Sequence, residues 1–181
     1  MRTTRKLRRI ALALAVIFGV VTGTAAAVIT SHSGGPQVGV DKRASDAPSS
    51  TSNTFWSDIP GASLLVNVPA NTSRLYDVSY FAESQCSGPN SGNCTIRIVA
   101  INLANGVLTE LYPQSGADFA FDTDVPGGAD DLREGHAMER VIRLPGGANG
   151  AGYQIEVQYA VSNNTTTFTL DDWLMVVETS L

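Results

Sequence analysis

Lysine is missing from Phe55 onward: from there to the C-terminus the chain carries five Arg, no Lys and fifteen Asp or Glu, a net charge close to -10. So acidic a surface cannot displace counterions from phosphate, which excludes a nucleic-acid role, and anionic lipid repels it. Cysteine is scarce, with two in 181 residues and no Cys-x-x-Cys pair, so neither a zinc knuckle nor a dithiol redox centre is on offer. His136 is the sole histidine after Phe55. There is no Gly-x-Ser-x-Gly nucleophile elbow and no His-Glu-x-x-His zinc motif, which removes two hydrolase signatures that sequence alone reveals. No repeat recurs at a solenoid period. No helical period is visible beyond residue 54, which excludes a helix-based fold for the main domain.

Apolar residues run unbroken at one place only, the N-terminus. Arg2, Arg5, Lys6, Arg8 and Arg9 precede Ile10 to Val21, and Thr22-Gly23-Thr24 then leads into Ala25-Ala26-Ala27. This is the three-part layout of a secretory leader, and it predicts residues 1-27 as a signal peptide cut after Ala27. An uncleaved anchor is the alternative, since Ile10 to Ile29 is long enough to span a bilayer; membrane association is expected only in that case. Either way the basic end stays inside and the domain faces out. Residues 28-54 are rich in Ser, Gly, Pro, Thr and Ala and contain no aromatic side chain, so they read as a disordered linker. The folded domain is therefore expected at 55-181.

Within it, short apolar-alternating stretches follow one another between turn residues: Ser63 to Val68, Leu75 to Glu83, Cys94 to Leu103, Val107 to Tyr112, Asp118 to Asp122 and His136 to Leu144. The two longest, Tyr153 to Val161 and Thr166 to Glu178, are separated by Ser162-Asn163-Asn164 and read as a hairpin. Asn105-Gly106 is the strongest short-range hairpin signal in the chain. Eight such strands predict an all-β fold, a single antiparallel β-sandwich of jelly-roll type.

Cys86 and Cys94 flank Ser-Gly-Pro-Asn-Ser-Gly-Asn, and in an exported chain they are expected to form a disulfide. Closing so short a loop contributes about 2.5 kcal/mol on the chain-entropy account. Asp118, Asp122, Asp124, Asp130 and Asp131 form an acidic segment that makes calcium the candidate ion. The helix-loop-helix calcium pattern is not met, because Pro126 stands at its fifth position and Arg133 at its twelfth, where Asp122, Asp124 and Gly127 fit the first, third and sixth. A solvated acidic loop, balanced by Arg133, Arg140 and Arg143, is the favoured reading, and no cofactor is expected. Asp171-Asp172 interrupts the last strand, and alternation sends the two carboxylates to opposite faces unless the strand bulges. The inward one is expected to pair with Arg97, Arg140 or Arg143, because an unpaired buried charge costs several kcal/mol. Read instead as a catalytic acid and base, this pair would suit glycoside hydrolysis. His136 is expected to be structural, and a Ser-His-Asp arrangement would have to be assembled in space.

With these residues in view, the chain resembles a group of secreted actinobacterial β-sandwich proteins. The resemblance rests on Ala82-Glu83-Ser84-Gln85-Cys86, Cys94-Thr95-Ile96-Arg97-Ile98, Asp118-Phe119-Ala120-Phe121-Asp122, His136-Ala137-Met138-Glu139-Arg140 and Thr166 to Trp173. It implies fold and export and brings no activity. More loosely the chain is similar to the trimeric jelly rolls of the tumour-necrosis-factor and C1q type, which makes an oligomer one expectation, although no collagen-like repeat precedes the domain. The expected function is a non-catalytic binding or interaction module outside the cell, with a protein or glycan partner, and not an enzyme. A carbohydrate-binding module would align Trp56, Trp173 or tyrosines on an exposed face. A secreted hydrolase would gather His136 or a carboxylate pair in a cleft.

Overall fold

The computed structural model describes residues 30-33, 39-90, 92-116, 119-124 and 133-181. The expected leader, residues 1-27, lies outside them. Among the described residues no helix is long and apolar enough to cross a membrane. The chain there forms β1 (Thr30–Ser33), β2 (Gly39–Ser45), β3 (Ser49–Thr51), β4 (Ser57–Val68), β5 (Ser73–Ser87), β6 (Gly92–Asn102), β7 (Leu108–Glu110), β8 (Asp122–Asp124), β9 (Glu134–Pro145), β10 (Ala151–Val161) and β11 (Thr167–Ser180).

The first sheet runs β1-β2-β11-β5-β9 with β3 also on β11, and the second runs β4-β10-β6-β7 with β8 also on β6. Strands β3, β4, β5 and β6 alternate between the sheets, as do β9, β10 and β11, which is the wrapping of a jelly roll. The fold is an all-β sandwich. Between the sheets lies one core, built mainly from the inward-facing residues of β4, β5, β6, β9, β10 and β11. It includes Ile96, Ile98, Ile155 and Val157 from the second sheet and Tyr76, Tyr80, Phe168 and Met175 from the first. Tyr80 stacks on Trp173 with ring centroids 6.1 Å apart. The Cys86–Cys94 disulfide forms as expected, with the two Cα atoms 5.8 Å apart. Because Cys86 is on β5 and Cys94 on β6, the bond ties one sheet to the other.

Three expectations need correction. Residues 28-54 are not a linker throughout: β2 pairs with β11 from Trp173↔Ser45 to Thr179↔Gly39, and β3 pairs from Phe168↔Thr51 to Leu170↔Ser49. These strands are held by backbone bonds to an otherwise open edge, and of them only Thr51 is fully buried, so composition carries no trace of them. The folded domain accordingly begins well before Phe55. Second, β10 and β11 are not a hairpin, because they lie in different sheets and face each other across the core. Each strand has an apolar face, and joining opposite walls buries both faces in one core. Third, the expected strand at Asp118 to Asp122 is the shorter β8, whose Cys94↔Asp122 pairing begins where that stretch was to end. The Asn105-Gly106 turn holds: Gly106 takes a left-handed φ of 71°, and Ile101 pairs with Leu108 across it.

Candidate functional site

Alternation on β10 sends Tyr153, Ile155, Val157 and Tyr159 into the core and turns Gln154, Glu156, Gln158 and Ala160 to the outer face of the second sheet. An outer face is normally solvated, yet Glu156 and Gln158 are only 6% and 7% exposed. Their neighbours across the sheet explain why: Glu156 lies between Ser63 and Val99, and Gln158 between Asp58 and Arg97. Together they form a closed polar network. Gln154 Nε2 donates to Glu156 Oε2 at 2.7 Å, and Gln158 Nε2 donates to Glu156 Oε1 at 2.9 Å and to Asp58 Oδ1 at 2.8 Å. Arg97 Nε donates to Gln158 Oε1 at 2.8 Å, and its guanidinium lies 4.5 Å from the centre of the Trp56 ring.

The two carboxyls of this network are driven apart in acidity. A hydrogen bond from Glu156 holds Asp58 below the usual carboxylate range, against the opposing effect of burial. Burial pushes Glu156 up, and the same hydrogen bond to Asp58 adds to it. The pair therefore keeps one proton over a wider pH span than either group would alone. Arg97 is lowered by burial and held up by the facing carboxylates of Glu110, Asp58 and Glu156.

Where this row ends, the same face opens into a cavity of about 250 Å³. Trp56 and Phe119 form aromatic walls, and Thr54, Asn93, Thr95 and Ala160 supply much of the rest. Phe119 is backed by the Arg140 guanidinium, 4.9 Å from its ring centre, much as Trp56 is backed by Arg97. Ser115 Oγ is committed to Ile96 O, and Ser162 Oγ accepts from Asn93 N. Among the described residues, the hydroxyls of Thr54 and Thr95 and the side-chain amide of Asn93 make no hydrogen bond within the chain.

The residues singled out from the sequence are placed elsewhere. Asp118, Asp130 and Asp131 lie outside the described residues. Among those described, no three His, Cys, Asp or Glu side chains are grouped so as to hold a metal ion. Asp122 accepts from Ser84 Oγ at 2.7 Å, and His136 Nε2 is 4.0 Å from Asp122 Oδ1. The carboxylate therefore stands between serine and histidine, where a nucleophilic triad needs the histidine in the middle, and Ser84 is only 1% exposed. Trp173 is 2% exposed and belongs to the core, so it cannot join an aromatic row at the surface.

Asp171 and Asp172 follow the bulge alternative and not the inward ion pair. Register slips between Asp171↔Glu83 and Leu174↔Phe81, placing one extra residue on β11, and Asp172 adopts a left-handed φ of 46°. This bulge switches the buried set from Phe168 and Leu170 to Trp173, Met175 and Val177, so neither carboxylate has to enter the core. Asp171 pairs with Arg133, not with Arg97, Arg140 or Arg143. Those three are engaged by Gln158 and Trp56, by Phe119 and Glu139 O, and by Ser73 respectively.

The Glu156 network escaped the sequence reading because Gln154, Glu156 and Gln158 look like an ordinary solvated strand face, and Asp58 reaches Gln158 from 100 residues away. Trp56 was the one member of the site that its residue type made visible.

No protein-family model matches this chain, and no curated protein matches it. Among solved structures it is similar to the CBM22-1 and GH10 modules of Clostridium thermocellum endo-1,4-beta-D-xylanase 10B, crystallised with xylohexaose. The match is 10% identical and covers 83% of this chain and 24% of that one, with a TM-score of 0.26. At that score the likeness says nothing about function.

Proposed function

We propose that this protein is an exported, non-catalytic binding module whose ligand sits on the outer face of the second sheet, beside Trp56. The observation that carries the reading is the pocket itself: preset aromatic walls next to polar side chains with unused hydrogen-bonding capacity, on an element held rigid by a closed network. Among the described residues its lining contains no titratable side chain, and these residues offer neither acid, base nor activated nucleophile. The nearby carboxyl pair is poorly placed for catalysis, since both oxygens of Glu156 already accept hydrogen bonds from neighbouring amides. The leader-like N-terminus and the disulfide support export.

Two measurements test this. Mass spectrometry of culture medium should find a chain beginning at Val28; full-length protein confined to membranes would replace secretion by anchoring. Fluorescently labelled protein should bind isolated cell envelopes of the producing organism, and Trp56→Ala should weaken that binding. Binding that is unchanged in Trp56→Ala would move the site away from this face.

A further inference from the structure

Resting on the reading of this face as a binding site, we infer that the Trp56 pocket takes a single neutral sugar ring. Size, charge and hydrogen-bonding capacity converge on that class. At about 250 Å³ the cavity is smaller than the roughly 300–1,000 Å³ typical of sites for drug-sized ligands, which suits one ring and not an extended peptide. Among the described residues every lining side chain is uncharged, and none of them offers a phosphate, a carboxylate or an ammonium ion a counter-charge. Neither nearby guanidinium lines the pocket. Arg97 is bonded to Gln158 and lies over Trp56, and Arg140 lies over Phe119, with Glu110 facing both.

What remains in the pocket is two flat apolar surfaces and a set of neutral donors and acceptors. A pyranose has the matching anatomy, an apolar C–H face and a rim of hydroxyls that both donate and accept. Thr54 and Thr95 hydroxyls do the same, and the Asn93 amide supplies a donor and an acceptor together. Each aromatic wall has a cation near one face, which fixes its orientation before a ligand arrives and lowers the ordering cost of binding. The outward position of Thr95 follows from the strand: its neighbours Cys94 and Ile96 are fully buried, so alternation turns Thr95 away from the core.

The two tryptophans make the test direct, since Trp173 is buried in the core and Trp56 lines the pocket. Methyl glucopyranoside, methyl galactopyranoside and methyl mannopyranoside are titrated into the purified full chain, with glucuronate, glucosamine and inorganic phosphate as charged counterparts. Fluorescence and ligand-observed NMR are the readouts. At least one neutral glycoside should bind with a dissociation constant on the order of millimolar. Thr95→Val, which keeps the side chain's shape, should weaken it about tenfold, and Trp56→Ala should abolish it. The charged counterparts should bind more weakly.

Failure of all three glycosides, or equal binding by the charged compounds, overturns the sugar assignment. Neutral-glycoside binding that survives both substitutions places the sugar elsewhere and also overturns it. If the glycosides fail while envelope binding persists and still depends on Trp56, the pocket is a binding site for another class. If envelope binding fails as well, the binding-module reading falls with it.

Discussion

Asp171 and Asp172 are neighbours in the chain and are separated by a bulge, whereas Asp58 and Glu156, on different strands, meet in one hydrogen-bonded network. The first pair catches the eye in the sequence and ends at the surface, where one carboxylate meets Arg133 and the other occupies a left-handed turn of backbone. The second pair looks like solvated strand face, yet Glu156 is buried there while its partner Asp58 stays exposed. Chemistry in a sheet is set by cross-strand register, which places side chains about 5 Å apart whatever their separation in sequence. A doubled carboxylate along one strand more readily marks a bulge.

The sharpest way to separate the pairs is to remove one carboxyl from each. Glu156→Ala leaves the half-buried Gln154 amide without its acceptor and the buried Gln158 amide with Asp58 alone, and should cost about 1–3 kcal/mol in chemical denaturation. A loss below that of an ordinary surface substitution would mean that water replaces the carboxylate and that the network is not closed.

Acidity should separate them next. Glu156, whose folded value is raised, contributes stability that is complete below its ordinary value of 4.5 and is lost as pH rises through the folded value. Asp58, whose folded value is depressed, contributes stability present above its ordinary value of 3.8 and lost as pH falls through the folded value. The intact network should therefore favour the fold most strongly between these limits. Glu156→Gln should remove the decline on the rising side and keep the one at low pH, and Asp58→Asn should do the reverse. Denaturation midpoints from roughly pH 2 to 8 give the answer. Identical profiles for parent and both variants would show that the two groups titrate as if exposed.

A smaller effect belongs to the other pair. Arg133 and Asp171 meet at the surface, where screening and side-chain entropy offset most of the Coulomb attraction. Asp171→Asn should cost no more than about 1 kcal/mol, and added salt should shrink the cost further. A loss comparable to that of Glu156→Ala would restore the buried ion pair that alternation alone implies.

Much of the sandwich was legible because β4, β5, β6, β9, β10 and β11 bury alternate residues, and alternation is visible in sequence. The disulfide was legible from its short polar loop. What escaped depends on partners. Strands β2 and β3 contribute backbone pairing and almost no core, so their composition is that of a linker. The turn after Val161 looks the same whether it joins neighbouring strands or opposite walls, and only the need to bury two apolar faces decides between them. At the candidate site Trp56 was visible as a large aromatic. Nothing local showed that Arg97 would lie over it or that Glu156 would be covered.

The smallest expected effect is at Asp172, and it isolates the cause of the doubled carboxylate. Residues other than glycine adopt a left-handed backbone at a cost of about 1–2 kcal/mol, which asparagine and aspartate reduce by bonding locally. Here Asp172 N donates to Asp171 Oδ1 at 3.2 Å, and the Asp172 side chain is exposed. The position thus asks for a residue that tolerates φ of 46° and makes no demand for charge. Asp172→Asn and Asp172→Gly should both stay within about 0.5 kcal/mol of the parent, with Asn relieved of repulsion from Asp171. Thermal melts of the two variants beside Asp171→Asn provide the measurement. A clear loss with Gly but not with Asn would point to a role for the side chain other than its charge, and a clear loss with both would mean that the carboxylate is needed there and that the bulge does not explain the pair.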